Sequence, residues 1–366
     1  MRGEFKEIVA FAPPASTTGA IGWLRQNLLS SPFNVLMTIF SAYLILKLVP
    51  PVLDWAVFSA DFIGKDQSAC TSGGACWVFI GARLDLFIYG FYPFDQYWRV
   101  NWMFALLAFT FVPQFFDAFP YKKLFGLIAL IVVPVVAYVL LLGGSFGLQP
   151  VDTNKWGGLM LTLVLAYVGI VAALPIGVIL ALGRQSKMPV IRTICICFIE
   201  LWRGVPLISV LFMASVMLPL FLPEGMNFNK LLRALIGIVM FQSAYMAEVV
   251  RGGLQAIPRG QSEAASALGL SYWKSMGLVV LPQALKLVIP GIVNTFIALF
   301  KDTTLVLIIG LLDILASVQS AIVDPAWRQV STEGYVFAAF SFWVFCFGIS
   351  RYSQALERKL HTGHKR

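Results

Sequence analysis

The sequence predicts an all-α polytopic membrane protein with about eight transmembrane helices. Of its 366 residues, 59% are hydrophobic and only 12% are charged. So few charges do not cover the surface of a water-soluble domain of this length. The apolar residues also gather in stretches of about 20, which is the length an α-helix needs to cross a bilayer.

Eight apolar stretches are the predicted spans, and the fifth is too long for one plain helix. We expect its first half to run along the membrane surface as far as Arg203 and to turn inward near Gly204 and Pro206. Residues 301–333 are apolar but carry charged and helix-breaking residues, which favours an irregular, partly buried passage. The eight stretches are 33–57, 101–119, 124–142, 157–182, 190–222, 231–250, 283–300 and 334–350.

Basic residues predict the topology. With a cytoplasmic N-terminus, sixteen Lys and Arg residues fall on the cytoplasmic side and eight on the other. By the positive-inside rule, both termini and the 251–282 loop are then cytoplasmic. The opposite loop, 58–100, is rich in aromatic residues that suit a membrane interface, and a re-entrant hairpin there stays open.

Charge and cysteine patterns exclude several classes. The net charge of +9 is spread over short loops and the C-terminal tail, so no basic module for nucleic acid is present. Cys70 and Cys76 share the outer loop, where a disulfide and two free thiols both remain open. We expect no metal site and no catalytic centre, because both histidines, His361 and His364, lie in the tail.

The 251–282 loop is polar and helix-forming between two apolar segments. Ser262 is predicted to cap a short helix whose first turn carries Glu263, a position that the helix dipole favours. Three alanines give that helix little side-chain bulk, Gly269 terminates it, and Ser271 can cap a second helix. Such a helix fits the groove of a soluble partner. The predicted contact residues are Gly260, Glu263, Ala264, Ala265, Gly269, Leu281 and Pro282.

Charged residues inside spans are costly and therefore candidates for function. Glu200 and Arg203 are three residues apart on a helix and can pair, as can Glu248 and Arg251. We expect the first pair to be structural. The second is either a gate element or an ordinary salt bridge at a helix end.

A polar group near residue 302 is the candidate substrate path. Asp302 follows the seventh span beside Thr303 and Thr304, where a helix break would let carbonyls, hydroxyls and a carboxylate meet an ammonium group. Asp302 could equally pair with Lys301 or cap the next helix. Further path candidates, for which interhelical hydrogen bonding is an equal alternative, are Gln242, Tyr245 and Asn294.

The spacing in the loop carries a family resemblance. Glu-Ala-Ala, three residues, Gly, nine residues, an aliphatic residue, one residue and Leu-Pro occupy positions 263–282, with Val279 where isoleucine is commoner. This resembles the coupling-loop signature of permease subunits in bacterial ABC importers. Segments 200–207, 244–253, 257–261 and 301–305 resemble the polar amino acid branch. The whole is most similar to a permease of the general L-amino acid transport system.

The resemblance implies an architecture and a set of partners. Residues 151–366 would form a five-helix type I importer permease core, and residues 1–150 an N-terminal segment with three extra spans and the periplasmic loop. The expected partners are a dimer of ATP-binding subunits that holds ATP and Mg, a second homologous permease forming a heterodimer, and a periplasmic amino acid-binding protein. The membrane would be the bacterial inner membrane.

A nucleotide-binding loop is absent from the sequence. The one Gly-Lys pair, Gly64-Lys65, is followed by Asp66 rather than Ser or Thr. We therefore expect a non-catalytic subunit that transports an amino acid by alternating access. The alternative is an ion-coupled secondary amino acid transporter, which would need no partner and often contains an inverted repeat.

Overall fold

The computed structural model describes residues 19–116, 119–221, 223 and 228–360, and these are almost entirely helical. The all-α prediction is confirmed. The chain divides into two compact units, Met1–Val78 and Phe79–Arg366. His361, His364 and both chain ends lie outside the described residues.

The first unit contains one long apolar helix. Helix α1 covers Gly19–Asn27 and α2 covers Pro32–Leu53, which continues as a π-helical turn over Asp54–Phe58. The Ser31 hydroxyl accepts a hydrogen bond from the Asn34 amide and so caps the start of α2. The apolar stretch predicted at 33–57 is therefore helical throughout.

A compact loop follows this helix. Cys70 and Cys76 form a disulfide, so the disulfide alternative is the one found. The Ser72 amide and hydroxyl donate to Oδ2 of Asp61 at 3.1 and 2.7 Å. These bonds to Ser72 favour the charged carboxylate and lower the pKa of Asp61 from its ordinary value. Covalent and polar links therefore both close the loop.

The second unit contains the remaining helices and one two-residue strand. Short helices alternate with long ones. In chain order they are α3 (Val78–Ala82), α4 (Leu84–Tyr89), α5 (Tyr97–Phe111), α6 (Lys122–Leu142), α7 (Gly158–Arg184), α8 (Pro189–Gly204), α9 (Leu207–Phe212), α10 (Lys230–Ala256), α11 (Arg259–Ala267), α12 (Tyr272–Ser275), α13 (Leu281–Leu287), α14 (Ile289–Asp302), β1 (Leu312–Asp313), α15 (Ile314–Ile322) and α16 (Ser331–Leu360).

The number of spans is smaller than predicted. Among the described residues, six helical stretches are long and apolar enough to cross a membrane, or seven if α8 and the helical stretch Leu207–Phe221 count as one bent span. The predicted span 101–119 is not among them, and its residues 117 and 118 lie outside the described part of the chain. Helix α5 has only 15 residues and gives way to a 3₁₀ turn that contains Pro113. Together they run from Tyr97 to Phe115, and this stretch is not one of those that are both long and apolar enough to cross a membrane.

The long fifth stretch bends where the sequence predicts. Helices α8 and α9 meet at an angle of 103°. Val205 between them has extended backbone angles, φ −113° and ψ 136°, and precedes Pro206. A residue before proline is pushed out of the helical region, because the proline ring crowds its amide and Cβ. The turn is thus a local property of the sequence.

Helices α7 and α10 form the centre of the second unit through close backbone approach. A Cβ built on Gly177 would lie 2.7 Å from Cβ of Met246, so that position admits no larger side chain without a shift. Met246, Ala247 and Val250 on α10 are fully buried. Such small-residue contacts are typical of membrane helices, whose association depends on tight packing.

The passage after α14 is irregular, as predicted. The α-helix ends at Asp302, continues as a 3₁₀ helix over Thr303–Ile309 and stops at Gly310, whose φ is +74°. Strand β1 then bridges to Gly157 and Gly158 at the start of α7. The predicted seventh span is displaced, however. Helix α13 ends before Val288, and the next stretch that could span begins at Ile289, ahead of Pro290.

Candidate functional site

The loop helix α11 lies between α10 and the helical segment that begins at Tyr272. It starts at Arg259, directly after Pro258, and not after Ser262 as the sequence analysis expects. Ser262 lies within the helix, where its hydroxyl donates to the Arg259 carbonyl at 2.8 Å. Pro258 has a φ of −58° and an extended ψ, so the chain enters the helix there. Glu263 is consequently in the second turn.

The end of α11 is a Schellman motif. Gly269 has a φ of +74°, its amide donates to the Ser266 carbonyl at 3.0 Å, and the Leu270 amide donates to the Ala265 carbonyl at 3.2 Å. This pairing closes a helix at a left-handed residue, for which glycine is preferred. Gly269 is therefore the predicted terminator. Ser271 occupies the N-cap position of α12, although its side chain makes no capping bond there.

Exposure distinguishes the faces of α11. Of its nine residues, all described, only Ala265 is buried, and Glu263 and Ala264 are open to solvent. Helix α13 begins with the half-buried Leu281, and Pro282 is its second residue. A helix with one small buried residue and otherwise exposed side chains is suited to contact with another protein.

Large apolar side chains next to α11 are also exposed, although none of them is among the residues predicted for the site. Leu268 is 81% exposed, Trp273 and Leu278 are each 71% exposed, and Tyr272 is 56% exposed. We use the name loop face for six residues: Glu263, Ala264, Leu268, Tyr272, Trp273 and Leu278. Exposed apolar side chains next to a polar helix are typical of surfaces that contact a protein or a membrane. The apolar character of Leu268, directly before the terminating glycine, is the signal that could have found it.

An ion-pair network lies where α7 and α10 end. Glu248 on α10 accepts from Arg251 at 2.8 Å, as predicted, and from Nη1 of Arg184 at 2.8 Å. Arg203 on α8 is 3.6 Å from the same carboxylate. The Glu248 side chain is only 15% exposed, so three cations compensate one partly buried charge.

The predicted Glu200–Arg203 pair is wrong. Glu200 instead accepts from Nη1 of Arg184 on α7 at 2.8 Å, and Arg203 faces Glu248. Each of the two residues therefore forms its ion pair with a residue of a neighbouring helix and not with the residue one turn away on α8. The network therefore ties α7, α8 and α10 together at one end of the unit.

The polar residues of α10 and α14 make interhelical contacts. Gln242 is 3% exposed, and its amide donates to the Thr295 carbonyl at 2.7 Å. Tyr245 is 37% exposed, and the Arg203 guanidinium lies 5.6 Å from its ring centre. Asn294 is exposed. Interhelical hydrogen bonding thus accounts for Gln242, while Asn294 stays open to a ligand.

Asp302 terminates α14 and is half-buried. Its side chain does not cap the following 3₁₀ helix, and within the described part of the chain no ion pair or hydrogen bond of its carboxylate is found. The Thr303 and Thr304 hydroxyls donate to the Phe300 and Lys301 carbonyls at 2.8 and 2.9 Å. Those carbonyls are therefore engaged rather than free, and the Asp302 carboxylate is the available polar group.

The predicted path residues do not form one cluster. Thr295, which holds Gln242, lies seven positions before Asp302 on the same face of α14. Two helical turns, about 10 Å, separate the two positions. A substrate path that passes both Thr295 and Asp302 would run along this face of α14.

The fold and the loop define a multi-span membrane protein with a short, exposed helix between two of its apolar helical stretches. A profile of the family described as binding-protein-dependent transport system inner membrane component matches residues 173–362. The chain belongs to this family. The matched region contains the loop helix and the ion-pair network.

Two curated relatives align along nearly the whole chain. The inner membrane amino-acid ABC transporter permease protein YhdY of Escherichia coli is 55% identical over 96% of both chains. The glutamate/glutamine/aspartate/asparagine transport system permease protein BztC of Rhodobacter capsulatus is 39% identical over 98% of both. The similarity to these two relatives shows that the chain is an ABC transporter permease, a multi-span protein of the inner membrane. A solved amino acid ABC transporter chain is 30% identical, covering 55% of this chain and 92% of that one with a TM-score of 0.49.

Proposed function

We propose that this permease carries amino acids inward across the membrane in an ATP-driven importer and is itself non-catalytic. The relatives along its whole length are named as amino acid permeases. The observation that carries the coupling role is the loop helix, exposed everywhere except at Ala265 and closed by Gly269. An ATPase subunit that closes over Glu263 and its neighbours would move α11 as a lever.

The proposed partners follow from this division of labour. A dimer of ATP-binding subunits would hold ATP and Mg and contact the loop face. A second, homologous permease would complete the pore as a heterodimer, and a periplasmic binding protein would deliver the amino acid. The chain lacks a Gly-Lys-Ser or Gly-Lys-Thr sequence, which supports assigning hydrolysis to a partner.

Transport would proceed by alternating access. ATP binding would draw the two coupling loops together and turn the cavity towards the periplasm, and hydrolysis would let it open inward. The Glu248 network joins three helices beside the loop, so it is suited to move them as one body. Asp302 would offer its carboxylate to the ammonium group of the amino acid.

The domain division and orientation belong to the same proposal. Residues 151–366 would be the permease core, and residues 1–150 would add further helices and the disulfide loop. Both termini and the coupling loop would be cytoplasmic, which places the Cys70–Cys76 disulfide on the oxidising side of the membrane.

The test is purification of the tagged protein in a mild detergent, followed by mass spectrometry of the proteins that remain bound. The proposal predicts a stoichiometric ATP-binding subunit and a second permease. A Glu263→Arg, Leu268→Glu double variant should lose the ATP-binding subunit and keep the second permease. A protein that purifies alone, and takes up amino acids alone when an ion gradient is imposed, would favour the secondary-transporter alternative.

A further inference from the structure

A basic cleft lies beside the ion-pair network. It has a volume of about 410 Å³ and is formed where α7 ends, α8 begins and α10 ends. Its lining within the described chain includes three arginines and no carboxylate. The lining residues are Arg184, Gln185, Arg192, Ile196, Arg251 and Gln255.

The charge around this cleft is not balanced. Arg184, Arg203 and Arg251 share the two carboxylates of Glu200 and Glu248. Three cations meet two anions there, and Arg192 adds a fourth cation for which the described residues provide no ion pair. The three arginines that line the cleft thus exceed the two neighbouring carboxylates by one charge, and Arg203, which lies outside the lining, adds a second.

Hydrogen-bond donors at the cleft are also in excess. Each guanidinium carries five N–H groups, and each glutamine amide carries two more. Arg184 uses Nη1 for both of its ion pairs, and Arg251 uses Nε and Nη2 for Glu248. Arg192 is exposed at the rim. The cleft thus combines uncompensated positive charge with unused planar donor groups, which is the arrangement that favours tetrahedral oxyanions.

We propose that this cleft binds a phosphate group. The headgroup of an anionic phospholipid and a free phosphate or pyrophosphate present the same oxygens, and the cleft selects that shared chemistry. A group bound there would contact α7, α8 and α10 together. It would therefore hold these helix ends in one arrangement beside the loop helix, and so influence transport without lying on the substrate path.

The test compares Arg192→Gln with Lys187→Gln in the protein purified with whichever subunits stay bound. Arg192 lines the cleft and is outside the Glu248 network, whereas the exposed Lys187 lies in the α7–α8 connection and does not line the cleft. Both changes remove one surface charge, so a general loss of positive charge affects them alike. In one arm, pyrophosphate is titrated by calorimetry in an uncharged detergent. In the other, retention of phosphatidylglycerol against phosphatidylcholine is measured by native mass spectrometry.

We expect saturable binding in at least one arm, weakened about tenfold by Arg192→Gln, as loss of one charged hydrogen bond predicts, and less than twofold by Lys187→Gln. Binding of phosphatidylglycerol alone identifies a lipid site, and binding of pyrophosphate identifies a site for soluble phosphate. Absence of binding in both arms would overturn the proposal. So would equal weakening by the two variants, since that would reflect surface charge and not the cleft.

Discussion

Gln283 at the start of α13 donates a hydrogen bond from Nε2 to Oε1 of Gln261 on the loop helix, at 3.1 Å. The two residues are 22 positions apart, so the bond joins the exposed helix to the segment that leads back into the membrane. Ala265 provides the apolar contact of the same helix. A movement imposed on α11 would pass through these two contacts.

The first prediction concerns this hydrogen bond. Gln283→Met keeps the side-chain length and removes this bond together with the one that Nε2 donates to the Val279 carbonyl at 2.8 Å, each worth about 1 kcal/mol. We expect the ratio of transport to ATP hydrolysis in the assembled importer to fall about two- to fivefold. Ser262→Ala is the control, because that hydroxyl bonds a carbonyl of its own helix. Equal ratios for the two variants would remove Gln283 from the coupling contact.

The second prediction concerns the left-handed glycine that ends α11. A Cβ built on Gly269 would meet no atom within 4 Å, so any effect of Gly269→Ala comes from backbone strain, of about 1 kcal/mol. We expect Gly269→Ala to impair ATP-dependent uptake, and Gly269→Asn to impair it less, because asparagine tolerates this conformation. Uptake by right-side-out vesicles measures both. An alanine variant as active as the asparagine variant would show that the geometry at residue 269 is dispensable.

The third prediction compares the two glutamates of the network. Glu248→Gln leaves three arginines facing a neutral amide in a partly buried place, and we expect a loss of about 1 to 3 kcal/mol of stability. Glu200 is 54% exposed and has one arginine partner, so Glu200→Gln should cost less than about 1 kcal/mol. The measurement is the thermal unfolding midpoint in detergent. Indistinguishable midpoints would mean that Glu248 is not the centre of the network.

The fourth prediction concerns Asp302. Asp302→Asn removes the charge with little change of shape, and no described ion pair is lost with it. We therefore expect altered uptake kinetics for the transported amino acids at an unchanged unfolding midpoint. Asp95→Asn, in an exposed 3₁₀ turn of the loop before α5, serves as the control. Kinetics identical to the parent for cationic, neutral and anionic amino acids would exclude Asp302 from the path.

The sequence predicts those features of the site that depend on local backbone preferences. Gly269 adopts a left-handed conformation that other residues avoid, and the following proline moves Val205 out of the helical region of backbone angles. Both features can therefore be predicted from the sequence. The start of α11 is misplaced by four residues because Ser262 is a good cap in isolation. The chain instead enters the helix at Pro258.

Features that depend on packing between helices are not predicted. Glu200 and Arg203 have the right spacing to pair, yet Arg184 and Glu248 from neighbouring helices are better placed. The same holds for the loop face, since the 81% exposure of Leu268 follows from how α11 sits on its neighbours. The predicted span 101–119 is a different case, because Pro113 in the 3₁₀ turn after α5 is a local signal that is present in the sequence.

Reconstitution distinguishes an ATP-driven importer from an ion-driven transporter. The permease is placed in liposomes with its co-purified partners, and amino acid uptake is measured with ATP supplied on the coupling-loop side. The account predicts uptake that requires ATP and the ATP-binding subunit, and that is lost in the Glu263→Arg, Leu268→Glu double variant. Uptake by this chain alone, driven by a proton or sodium gradient without ATP, would contradict the account.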